Sequence, residues 1–407
     1  MMQKKIHDII SKINLVIDNN KFPSTNLNLM SGLAGELLYL DFIRKVKNSK
    51  KTDSLFVKKF EFLLQSFENE DFKNISFSSG IAGVLWMIKK IDKNGELIDP
   101  TSLHALDKFI FDNLSTLKDH NNWDPLHGLV GIGQYFISDE NGDFYHSANN
   151  SILDHLKHLI ERPNNTSSLT WAVRKEITEF EYPTLIYDFG IAHGNAGVIL
   201  YLLNLYKKGF QKGVVKNLVL EAIEFIESYK TTDAKNLCMY PLTLVEGSIG
   251  ADKFDGKIAW CYGDLCIALI YLKSGIAFGR EDFIQRSHNI ILHNLKRSLS
   301  QAGVTSNYHI PIIDGTFCHG TAGIAYFYKL FSSYFKDQSI HSEYKRWLEL
   351  TIRLCERHLQ KNRLSVPYYS NETFHKGILN GISGIGLVLA SELEESDHYW
   401  PECFLLN

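Results

Sequence analysis

The sequence predicts an all-α protein: an α/α toroid of seven helical hairpins, with inner and outer rings of helices and a small inserted module of strands. Three observations predict it. A glycine-led phrase recurs seven times, as MSGLAG around Gly32, SSGIAG around Gly80, LHGLVG around Gly128, AHGNAG around Gly194, CYGDLC around Gly263, CHGTAG around Gly320 and LNGISG around Gly381. The phrases are spaced by about 48 residues in the first two intervals and about 57 to 69 in the others, which is the period of a repeat architecture. Each phrase leads into an apolar run, and between phrases lie segments with one apolar stripe and one charged face.

The elements follow in order. The N-terminal stretch spaces Ile6, Ile9, Ile10, Ile13, Val16 and Ile17 at helical intervals, which predicts an amphipathic helix rather than a signal peptide. GVLWMIKKI from Gly83, GVILYLLNLY from Gly197 and GIAYFYKLF from Gly323 are apolar nearly all round, as buried helices are. NSILDHLKHLIER from Asn150, NLVLEAIEFIESY from Asn217 and YKRWLELTIRLCERHL from Tyr344 are two-faced and predict outer helices that cover them. The longest intervals hold SLTWAVRKEITEFEYP and CMYPLTLVEGSIGADKFDGKIAW, which mix β-branched and aromatic residues with Pro and Gly. These predict strands within roughly 166–189 and 235–258, beside a toroid that uses the whole chain, 1–407.

Composition excludes several classes. At 407 residues with 44% hydrophobic and 22% charged side chains, the chain is globular rather than disordered. A formal net charge of -3 with no basic run argues against a nucleic-acid partner. No run of about 18 apolar residues occurs, so a cytoplasmic protein is expected. Six scattered cysteines are too few for a disulfide scaffold, which leaves thiols for metal binding or catalysis.

Aligning the phrases places the chemistry. Directly before the leading glycine stand Ser31, Ser79, His127, His193, Tyr262, His319 and Asn380; one position earlier stand Met30, Ser78, Leu126, Ala192, Cys261, Cys318 and Leu379. Cys261 and Cys318 thus project from matching places on adjacent repeats, with His319 beside them. Two thiolates and an imidazole with one position open is the plan of a catalytic zinc site, water taking the fourth place. The alternative is buried thiols in packing, but these two stand at helix starts rather than within the apolar runs. Cys238, Cys355 and Cys403 lack that placement, and Cys266, standing where the phrase has its second glycine, is read as packing. Asp124, four residues before Gly128, and His193, directly before Gly194, reach the same rim and suit proton transfer. A capping role fits Asp124 equally well, and spacing does not decide between His193 and His127.

The phrases AHGNAG, AWCYG and CHGTAG in that order, with ILNGISG near the end, resemble the lanthionine synthetase C-like family, and more closely the cyclases of class I lanthipeptide biosynthesis. The resemblance covers nearly the whole chain. It implies a zinc enzyme, an α/α toroid with a small SH2-like insertion. Such an enzyme closes thioether rings by adding cysteine thiols to dehydroalanine or dehydrobutyrine in a dehydrated precursor peptide. It implies one zinc ion on Cys261, Cys318 and His319, catalytic roles for His193 and Asp124, and an aromatic pair, Trp260 and Tyr262, flanking the first zinc cysteine. Close members carry an arginine four residues before that cysteine; here it is Lys257, which keeps the charge but lacks the bidentate fork. The implied partners are the precursor peptide, a lanthipeptide dehydratase and an ABC exporter, a complex that would bring the protein to the membrane periphery. The same scaffold also admits a non-catalytic peptide or glutathione binder, and the ligands alone admit a zinc hydrolase. A glycosidase would need paired carboxylates, which the register does not offer.

Overall fold

A computed structural model describes residues 2–18, 26–47, 49–67, 73–92, 95, 97–163, 166–175, 184–233, 235–245, 256–305, 313–360, 376–394 and 398–407. The fold is predominantly helical, as expected. After α1 (Met2–Asp18), glycine-led helices pack against the helix that follows them: α2 (Leu33–Lys47) on α3 (Lys50–Phe67) and α4 (Ile81–Ile91) on α5 (Pro100–Asp112). Beyond the short α6 (Leu114–Asp119), α7 (Leu129–Ile137) packs on α8 (Tyr145–His158) and α9 (Asn195–Lys207) on α10 (Lys212–Ser228). The same pairing joins α11 (Asp264–Phe278) to α12 (Glu281–His293) and α13 (Thr321–Phe335) to α14 (Gln338–Gln360). The seventh glycine-led helix, α15 (Ile382–Ala390), packs instead on α1, so the last hairpin is assembled from distant parts of the chain.

Periodicity explains these elements. α7 and α15, apolar all round, are buried at every position. α1 buries Ile6, Ile9, Ile10, Ile13 and Ile17 along one stripe, with Val16 at its margin. α8 ends at His158, earlier than its stripe suggests, because Glu161 leaves the helix to exchange backbone hydrogen bonds with Thr170. No helix among the described residues is long and apolar enough to cross a membrane.

The chain divides into two compact units, one of residues 1–113 and 304–407, the other of residues 114–303. In the first, the residues two before each leading glycine form a backbone chain. Cys318 N–H donates to Leu379 C=O at 3.0 Å, Leu379 N–H to Met30 C=O at 3.0 Å, and Met30 N–H to Ser78 C=O at 3.2 Å. The repeats there stand in the order sixth, seventh, first, second. In the second unit Cys261 C=O accepts from Ile191 at 3.0 Å and Ala192 at 3.4 Å, the equivalent linkage of fourth and fifth repeats. That unit also carries an antiparallel sheet of β1 (Val173–Lys175), β2 (Thr184–Asp188) and β3 (Thr243–Val245), in that order, with Val173 opposite Ile186 and Ile186 opposite Val245. Residues 176–183 and 246–255 of the strand-rich stretches lie outside the described residues.

Candidate metal centre and acid–base pair

Five of the glycine-led loops share one device that sequence reading missed. Six positions before the leading glycine stand Asn26, Asn74, Asn122, Asp188 and Asp314. Each side-chain Oδ1 accepts the N–H two residues on, at Asn28, Ser76, Asp124, Gly190 and Thr316, over 2.6 to 3.3 Å. These Asx turns hold the loop so that the first helical amide reaches the same residue's carbonyl, as Leu33 does to Asn26 and Thr321 to Asp314. The signal was in the sequence, an Asn or Asp at a fixed offset, but polar loop residues do not declare it without the register.

The fifth repeat breaks the device. Lys257 occupies the Asx position, and Gly263 takes φ 102°, where the leading glycines Gly80, Gly128, Gly194, Gly320 and Gly381 lie between -107° and -131°. A methyl group on Gly263 would sit 2.1 Å from the Lys257 carbonyl oxygen, so only glycine fits this left-handed turn. Elsewhere the phrase's second glycine faces the carbonyl six residues earlier; a Cβ on Gly323 would lie 1.9 Å from Phe317 O. In the altered loop Cys266 fits in that place, and its thiol donates to the corresponding carbonyl, Trp260 O, at 3.2 Å. Burial raises its pKa far above the ordinary thiol range, so Cys266 is an inert clasp on the loop bearing Cys261. Trp260 and Cys261 are buried and Tyr262 half-buried. Freed from the Asx role, Lys257 places its ammonium 5.9 Å from the Tyr262 ring centroid.

In the sixth repeat Cys318 is buried and His319 half-buried, and Cys318 Sγ lies 3.5 Å from His319 Nε2. Adjacent residues thus turn a sulfur and a ring nitrogen toward one another. Cys261, Cys318 and His319 make up the Cys-Cys-His set able to coordinate a metal ion. Its chemistry suits zinc, which takes thiolate and imidazole together and leaves a place for a fourth ligand.

The third and fourth repeats supply the candidate acid–base pair. His193 Nδ1 donates to Asp124 Oδ2 at 2.7 Å, while Asp124 Oδ1 accepts the backbone N–H groups of Leu126 and His127, each at 2.7 Å. Asp124 therefore both holds its own loop and holds the histidine. It is not the helix cap: α7 is capped at Gly128 without a side-chain bond. Of the two histidines, His193 takes the carboxylate with its ring while the His127 ring stacks on that of His193, 5.7 Å between centroids and 12° between planes. Partial desolvation lowers the pKa of His127, against the opposing pull of Asp124. A groove of about 740 Å³, lined in part by Trp123, Asp124, His158 and Glu161, borders the pair.

Comparison with known proteins converges on one family. Residues 23–405 match the family described as lanthionine synthetase C-like protein. The chain is 26% identical over 430 residues to the nisin biosynthesis protein NisC of Lactococcus lactis subsp. lactis, covering 100% of this chain and 97% of that protein. Its structure is similar to a solved nisin cyclase, with a TM-score of 0.77 and 21% identity over 99% of this chain and 97% of the other, which shows the same fold. The chain belongs to the lanthionine synthetase C-like family.

Proposed function

We propose that this protein is a zinc-dependent lanthipeptide cyclase, which adds cysteine thiols to dehydroalanine or dehydrobutyrine within a dehydrated precursor peptide to form lanthionine and methyllanthionine rings. One observation carries the reading. Of the seven residues two before a leading glycine, Cys261 and Cys318 alone are thiols, and the second is followed by an imidazole whose Nε2 lies 3.5 Å from its sulfur. Family membership and the likeness to NisC, a nisin biosynthesis protein, support it.

Cys261, Cys318 and His319 would hold a zinc ion, which when bound would supply a Lewis acid that lowers the pKa of an incoming substrate thiol, otherwise about 8.5. The protein's own residues do the rest. As the sulfur–β-carbon bond forms, the alkene π pair moves toward the α-carbon and its carbonyl, and one proton must reach the α-carbon to match the one the thiol lost. His193 delivers it from Nε2, the nitrogen Asp124 does not touch, while Asp124 fixes Nδ1–H and stabilises the imidazolium that precedes transfer. We assign to Lys257, beside Tyr262, the developing negative charge on the carbonyl oxygen, with Trp260 and Tyr262 shaping the approach. Ring closure is intramolecular, so holding both ends near each other supplies much of the rate, and the groove beside Asp124 gives the peptide room.

The test is incubation with dehydrated precursor peptide, followed by alkylation of free thiols and mass spectrometry. The expected result is fewer alkylated cysteines at unchanged peptide mass. Binding without thiol loss would replace this reading with a non-catalytic peptide or glutathione binder. In the same proposal the protein works in the cytoplasm, reaching the membrane only through a complex with a lanthipeptide dehydratase and an ABC exporter, which co-purification of the tagged proteins tests.

A further inference from the structure

His193 is exposed, and its hydrogen bond to Asp124 does not by itself fix the plane of its ring. Rotation about that bond would sweep Nε2 through an arc, and proton delivery to one face of a planar carbon tolerates little misdirection. The neighbouring repeat supplies a further constraint. His127 lies nearly parallel to His193 at 5.7 Å between centroids, and its own amide donates to Asp124 Oδ1 at 2.7 Å. One residue thus braces the carboxylate through its main chain and the imidazole through its ring.

We propose that His127 is a positioning residue for proton transfer, its ring forming the wall against which His193 is held so that Nε2 points along one direction. The inference rests on His193 being the proton donor of the proposed reaction. The chemistry of the wall also matters. Two stacked imidazolium rings would repel, so the stack favours a neutral His127 when His193 carries the proton, in keeping with the lowered pKa of His127. A flat uncharged ring is all the role requires. Because the hydrogen bond from residue 127 to Asp124 comes from the backbone, substitutions of the side chain leave it in place.

Two variants separate positioning from folding. His127→Ala removes the wall and should lower kcat for ring closure about tenfold, with KM and bound zinc unchanged. His127→Phe restores a flat ring without a titratable nitrogen and should return kcat to within about threefold of the parent. The second readout is the histidine carbon-13 NMR spectrum. His193 should lose the ring-current displacement of its signals in His127→Ala and keep it in His127→Phe. Unchanged kcat in His127→Ala, or equal impairment of both variants, would overturn the positioning role. An inactive parent protein with an intact ring-current signature would instead overturn the cyclase reading and leave the stack standing.

Discussion

Asp124 meets His193 through Oδ2 and keeps Oδ1 for the amides of Leu126 and His127, so its two oxygens do separable work. Asp124→Asn tests the separation. The amide oxygen can still accept from the loop, leaving NH₂ toward His193, whose Nδ1 must then become an acceptor. The imidazole is forced into the wrong tautomer while the loop survives. We expect a melting temperature close to that of the parent and turnover lower by roughly 10²- to 10⁴-fold, read by circular dichroism and the thiol-alkylation assay. Asp124→Ala should also destabilise, by about 1–3 kcal/mol, because two amides lose their acceptor.

Metal content and proton transfer should come apart. The parent is expected to hold roughly one zinc per chain, and Cys318→Ala to lose most of it together with activity. His193→Asn should keep the zinc and lose turnover. Metal analysis of both purified variants checks this, and a chelator-stripped parent should recover activity on zinc addition.

At Lys257 the ammonium lies over Tyr262 at 5.9 Å, an arrangement worth only about 0.5–1 kcal/mol at a partly exposed site. Lys257→Ala should therefore change thermal stability little. Its kcat should fall more than about tenfold because a charge facing the developing oxyanion is gone. Lys257→Arg, which keeps the charge, should retain turnover, and comparison of the three rates decides the point.

All six cysteines are buried, and three of them have thiols shifted by it. Desolvation pushes Cys355 up to about 12 and raises Cys266 and Cys403 as well. Since the thiolate is the reactive form and lies far out of reach at pH 8, none of the three should take up iodoacetamide in the native protein. All six cysteines should react in guanidinium chloride, as peptide mapping would show.

The register of the glycine phrases made much of this legible. It placed the helices, put Cys261 and Cys318 in equivalent positions and set His319 beside the second. What stayed hidden depended on pairing at a distance. Nothing local says that Asp124, besides accepting the amide of His127 three away, holds the ring of a residue 69 positions on, because that contact exists only once the third and fourth repeats are side by side. The joining of α15 to α1 was hidden for the same reason. Lys257 and Cys266 looked like two unrelated irregularities until the loop showed one alteration: loss of the Asx side chain, a left-handed glycine at Gly263 and a thiol filling the space that results.

Because Leu379 donates to Met30, synthesis of the chain runs ahead of its own completion. Residues 114–303 leave the ribosome as one contiguous stretch, but the first two repeats must wait for residues beyond 303 to supply their neighbours. At common translation rates the hundred or so residues from 304 to 407 take about 5 to 20 s to appear. During that interval α1 carries its isoleucine stripe with no α15 to cover it. The nascent protein therefore passes through a stage with a sticky apolar flank, and a chaperone that shields such flanks should raise its yield.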